Sequence, residues 1–196
     1  MEDLKEIKIQ TKEWSNPTAA GLVALAVACF CFFGMLNGHF TGADRLLVGC
    51  WLLGGFVIQI VVAFVDLKGG NHTGGNTFLF FSAFFMLSAG LGLFMKFFYG
   101  GSATVDAYVW FAILLVMLLW TPAFFKKFSI LSLIVLALDL ALPLLVLADL
   151  NTFPYMTAQF ASIAGWILLV AGLLAIYLSA AMVVNSAFGR KVYPLP

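Results

Sequence analysis

Six long apolar runs govern what this chain can become: Pro17–Asn37, Arg45–Val65, Thr77–Phe98, Val105–Phe125, Phe128–Leu147 and Ala158–Val184. The hydrocarbon core of a bilayer takes about 20 such residues as one helix, so each run is a predicted span. Together they use most of the 196 residues and leave no room for a soluble domain. Hydrophobic residues make up 63% and charged ones 10%, against roughly 45–50% and 25% in soluble domains. A chain of this size cannot bury that much apolar surface in water. A β-barrel is disfavoured, because its strands alternate apolar and polar positions over about ten residues, whereas these runs are apolar all round. The expected fold is an all-α integral membrane protein with six transmembrane helices in one bundle joined by short links. Its expected organisation is a cytoplasmic segment over 1–15, a membrane domain over 16–188 and a cytoplasmic tail over 189–196.

Orientation follows from the basic residues at the span ends. Lys5, Lys8, Lys12, Lys68, Lys126, Lys127, Arg190 and Lys191 fall on one side, and only Arg45 and Lys96 on the other. Both termini are therefore expected in the cytoplasm. Trp14, Trp51, Tyr99, Tyr108, Tyr155 and Tyr193 sit near span ends, as an interfacial belt does. The first run is too long for a signal-peptide core and is read as a span. The charged segment before it, with Leu4, Ile7, Ile9 and Trp14, reads as a solvated tail in preference to an amphipathic surface helix. A net charge of +1 points to no nucleic-acid partner.

Polar residues within spans are costly and therefore informative. Asp139 lies about eleven residues into span five, near the bilayer midplane. At 100° per residue, Ser129, Ser132, Asp139 and Pro143 share a sector of about 80°. Two readings stand level: Asp139 as a titrating proton carrier beside a water path, or as a hydrogen-bonded strut to a neighbouring helix. Gly55, Gln59, Ala63 and Asp66 share one face of span two, where close packing is favoured over solute contact. Ser162, Gly165, Gly172 and Ser179 form a small-residue face on span six, a helix seam within or between subunits. Asn16-Pro17 caps span one, and Asn76, before Thr77, is expected to cap span three. Both helix starts would turn partial positive charge toward the cytoplasmic mouth.

No catalytic constellation is present. His39 and His72 are expected on opposite sides of the membrane and cannot share a metal. Cys29, Cys31 and Cys50 read as packing residues. No cofactor or metal is expected.

The residues do, however, match a family. Asn16-Pro17-Thr18-Ala19-Ala20-Gly21-Leu22 resembles an Asn-Pro-x-Pro-x-Gly-Leu signature entering span one, and Gly75-Asn76-Thr77-Phe78 resembles the entry to span three. Ala164-Gly165-Trp166-Ile167, Ala175-Ile176-Tyr177-Leu178 and Asn185-Ser186-Ala187-Phe188-Gly189-Arg190-Lys191-Val192-Tyr193-Pro194 read nearly position for position like a last helix and tail. These motifs resemble the acetate uptake transporter family over nearly the whole chain. The resemblance implies a prokaryotic inner-membrane protein, a homo-hexameric ring of six-helix protomers, each with its own pore. It implies passage of acetate, and often succinate, by proton symport or as an anion channel. Carried over by position, a pore constriction falls on Leu25, Met86 and, less securely aligned, Val135. Asn16, Asn76 and Thr77 fall at a substrate-binding vestibule. The chain departs from the family pattern at Ala19, at Phe84-Phe85-Met86-Leu87, in the extra residues of Gly69–Gly74, and at Asp139, which is assigned as the proton-coupling candidate. The leading expectation is a short-carboxylate transporter or channel and not an enzyme. The alternative is a channel for a small neutral solute such as urea, an amide or ammonia, which the apolar neck would suit.

Overall fold

A computed structural model describes residues 14–195; the N-terminal lysines and the tail reading of Leu4, Ile7 and Ile9 lie outside them. Each predicted span is one helix: α1 (Thr18–Leu36), α2 (Asp44–Lys68), α3 (His72–Tyr99), α4 (Thr104–Phe125), α5 (Ile130–Asp149) and α6 (Thr157–Phe188), all long and apolar enough to cross a membrane. Their lipid-facing residues stay exposed, Leu119 at 79% and Val105 at 68%. That pattern suits a bundle whose outer solvent is hydrocarbon.

Helix starts follow local hydrogen bonding. The N-cap position of α1 is Pro17, not the expected Asn16; Asn16, one residue earlier, still serves the helix start, its Oδ1 accepting the Thr18 amide at 2.8 Å. The cap of α3 is Asn71 and not Asn76: Asn71 Oδ1 accepts the Gly74 amide at 3.0 Å, so the helix starts at His72. Asn76 lies a turn inside it and donates to the His72 carbonyl at 2.8 Å. Within α3, Phe81–Ser88 widens into a π-helical stretch, a local insertion the apolar pattern does not reveal. Ser88 Oγ donates to the Ala83 carbonyl five residues back, at 2.9 Å.

The helices form an arc in the order α3, α2, α1, α6, α5, α4. Its two ends, α3 and α4, are joined by aromatic contacts (Phe80–Trp120 rings 5.5 Å apart, Phe85–Trp110 5.8 Å) and by the Lys96–Asp106 ion pair. Trp110 Nε1 donates to Asp149 at 3.0 Å, tying α4 to the end of α5. The α1–α6 seam lies within one subunit and uses the predicted small face. Ser162 donates to Asn37 at 2.6 Å, and Ser179 donates to the Ala19 carbonyl at 2.9 Å. The start of α1 and the end of α6 therefore lie at the same end of the bundle. Cys29 is buried in this seam against Gly172; Cys31 is half-buried and Cys50 exposed.

A side chain at Gly172 would place its Cβ 3.0 Å from Cys29 Cβ and 3.1 Å from the Phe30 ring. Gly172→Val is expected to destabilise the bundle by about 1–3 kcal/mol through overpacking. Thermal unfolding in detergent measures this, and an unchanged midpoint would show that the seam does not hold the fold.

Candidate functional site

All six helices contribute to a cavity of about 640 Å³ at the end of the bundle where α1 and α3 begin. Its outer part is polar and basic, with Thr18, Thr73, Ser129 and the exposed pair Lys126 and Lys127 on the α4–α5 link. Its inner part is apolar: Leu22 and Leu25 from α1, Phe78 and Phe81 from α3, Met117 from α4, and Ile134, Val135 and Leu138 from α5. Next in the core are Phe32, Phe85 and Trp110, with Phe32 and Phe85 rings 5.0 Å apart and Phe32 and Trp110 rings 6.3 Å apart. The cavity thus passes from a basic rim to an apolar inner wall.

The residues assigned to the site from sequence divide. Thr77 lines the cavity, with its hydroxyl donating to the Thr73 carbonyl at 2.8 Å. Asn16 and Asn76 are not on its wall; they serve the α1 and α3 backbones. Leu25 and Val135 reach the neck from α1 and α5. Met86 does not. It is fully buried with its sulfur against Gly55 of α2, where a Cβ would stand 2.9 Å from Sδ. The thioether occupies the space left by that glycine, and the apolar α3 residues on the cavity wall are Phe78 and Phe81.

Asp139 is also off the wall, at mid-length of α5 and turned toward α4. Thr121 Oγ1 lies 2.5 Å from Asp139 Oδ2 and 2.8 Å from the Met117 carbonyl. One hydroxyl proton therefore faces two acceptors, and Asp139 Oδ1 has no partner among the described residues. Of the other residues in its stripe, Ser132 is fully buried and donates to the Phe124 carbonyl at 2.7 Å, while Ser129 borders the cavity.

Two features of the site were read from sequence as packing. Gln59, on the predicted inner face of α2, is 1% exposed and lines the cavity. Its Oε1 is itself buried and has no hydrogen-bond partner among the described residues. An unpaired buried acceptor costs about 1–3 kcal/mol. One turn or more away, Asp66 is buried and accepts from Thr18 Oγ1 at 3.2 Å and Asn71 Nδ2 at 3.1 Å. This carboxylate ties the starts of α1 and α3 to the end of α2 and so shapes the cavity's rim. The spacing of Gly55, Gln59 and Asp66 placed them on one face. Only the packing of α1 and α3 shows that this face borders a cavity.

Asp66→Leu strands the Thr18 hydroxyl and the Asn71 amide and is expected to cost about 1–3 kcal/mol. Asp66→Asn, which keeps one acceptor, should cost less. Equal melting temperatures for both variants and the parent in detergent would show that the cluster does not hold the rim.

No family model matches the chain. It is 26% identical over 191 residues to the succinate-acetate/proton symporter SatP of Escherichia coli K12, covering 92% of this chain and 95% of that protein. The SatP protein of Shigella flexneri matches to the same extent. Among solved structures, that of the bacterial acetate channel SatP superposes with a TM-score of 0.82 at 22% identity, covering 93% of this chain and 99% of that one.

Proposed function

We propose that this chain is a member of the acetate uptake transporter family and carries acetate and related short carboxylates such as succinate across a bacterial inner membrane. One observation supports this most directly: the cavity passes from a basic rim at Lys126 and Lys127 to a neck at Leu25, Phe81 and Val135, with Gln59 among its lining residues. The rim, with the α3 N-terminus, would gather a small anion. The neck penalises a bare charge heavily and lets through a neutral acid or an ion accompanied by a proton. A small rotation of the Gln59 side chain would bring its amide oxygen to the cavity surface, where a protonated carboxyl group donates to it. In this reading Thr77 lies on the solute's path, whereas Asn16, Asn76 and Met86 act by holding helices.

Asp139 is the proton-coupling candidate. A proton on its carboxyl would donate to Thr121, freeing the threonine hydroxyl for the Met117 carbonyl, so both contacts would be satisfied at once. Loss of that proton would leave one acceptor unmatched and loosen α5 from α4. Among the described residues, five basic residues lie at the cavity's end of the bundle (Lys68, Lys126, Lys127, Arg190 and Lys191) and two at the other (Arg45 and Lys96), which supports a cytoplasmic cavity. A homo-hexamer with one pore per protomer completes the proposal; native mass measurement of the detergent complex tests it, and a monomer would remove it.

The decisive experiment is uptake of labelled succinate and acetate into proteoliposomes with and without an inward proton gradient. Uptake is expected to saturate and to rise as the pH outside falls, because the neutral fraction of the solute grows and, for the larger part, because Asp139 takes up its proton. Asp139→Asn should flatten that pH response, and Gln59→Leu should lower uptake by about tenfold, the equivalent of one buried hydrogen bond. A second reading, a channel for a small neutral solute, draws on the wholly apolar neck. Osmotic swelling in urea with no flux of either acid would replace the carboxylate reading with that one.

A further inference from the structure

The segment that follows α6 is held back against the bundle by two of that helix's own side chains. Gly189, at φ +60°, reverses the chain. Asn185 then grips the returning backbone at both ends of its amide. Its Oδ1 accepts the Val192 and Tyr193 amides at 2.7 and 2.8 Å, and its Nδ2 donates to the Tyr193 carbonyl at 2.9 Å. Farther along, the Tyr177 hydroxyl donates to the Pro194 carbonyl at 2.8 Å, and its ring lies 6.2 Å from that of Tyr193. Asn185 and Tyr177 are about 12 Å apart along the helix at 1.5 Å per residue. The segment therefore runs antiparallel to α6, inward from the membrane surface. At its inner end Leu195 packs on the hydrophobic core and forms part of the cavity wall, as does Leu178 of α6.

A polar surface segment needs none of this. Here four hydrogen bonds from two side chains deliver one leucine to the wall of the cavity. We propose that Val192–Leu195 is a strap fixed across one side of the cavity mouth, and that Leu195 determines which solutes enter by their width. The inference goes beyond the proposed function and rests on it only for the chemical class of the solute. The strap fixes a steric limit; charge selection stays with Lys126 and Lys127 on the α4–α5 link.

The strap can be tested apart from transport. In a variant with Cys29, Cys31 and Cys50 replaced by Ala, Ile134→Cys places a single thiol on the cavity wall. The purified protein in detergent is reacted with a small and a bulky maleimide, and the ratio of the two rates is read. Leu195→Ala, or Asn185→Ala with Tyr177→Phe, is expected to raise the bulky-to-small ratio at least fivefold. Leu195→Trp should lower it. Variants are compared only where melting temperature and elution volume match the parent, and Leu195→Ala, which leaves every hydrogen bond in place, guards against a release variant that fails to fold. An unchanged ratio in folded Leu195→Ala and Leu195→Trp proteins overturns the proposal. In proteoliposomes, Leu195→Ala should raise uptake of a longer, branched dicarboxylate several-fold relative to succinate. If the labelling ratio moves while neither acid is transported, the strap stands and the carboxylate reading falls. If both acids are transported with an unchanged labelling ratio, the strap falls and the carboxylate reading stands.

Discussion

The close approach of α1 to α6 is the interaction on which the rest of the bundle depends. Lipid offers no hydrophobic drive for helices to associate, so contact must come from packing and hydrogen bonds. Gly165 and Gly172 give α1 room to lie against α6, with Asn37 and Cys29 in the space their missing side chains leave. Ser162 and Ser179 then bond across the seam at both ends. This pairing joins the first helix to the last and sets the middle of the arc. Leu25 of α1 and Leu178 of α6 meet the cavity because the seam holds their helices side by side.

Within the membrane, nearly every polar side chain is satisfied close to home. Ser82, Ser132 and Thr77 bond to backbone carbonyls, and Asp66 takes two donors from neighbouring helices. Among the described residues two buried atoms depart from that pattern, Gln59 Oε1 and Asp139 Oδ1. In a low-dielectric interior an unpaired group is expensive, and such costs persist where a site needs a vacant partner. Gln59 is among the residues that line the cavity, with its oxygen buried just beneath the surface. Asp139 does not border it and acts, in the proposed mechanism, through Thr121 and the α4–α5 packing.

The fold was legible because its signal is coarse. Six apolar runs give six helices wherever they occur, and their ends shifted by at most about five residues, most at the start of α3, where Asn71 is the cap. The small-residue face of α6 and the inner face of α2 were legible too, since helical geometry alone puts those residues together. The site was legible in part. Leu25 and Val135 line the cavity, whereas Met86 packs against Gly55 and the apolar α3 residues on the wall are Phe78 and Phe81. Met86 was placed by position along a resembling sequence, and the π-helical stretch from Phe81 to Ser88 changes which way the residues of α3 face. The role of the tail was not legible either, because the three bonds from Asn185 join residues that no local pattern marks as partners.

Sequence alone therefore determined the solvent this chain folds in, the number of its helices and which faces turn inward. Hydropathy and helical period are properties of a single segment, independent of its neighbours. Tertiary structure alone decided which inward residues meet at a cavity and which merely pack, why Gln59 is left without a donor, and how Leu195 comes to stand in a wall built by six helices. Those outcomes depend on side chains from distant segments competing for the same space.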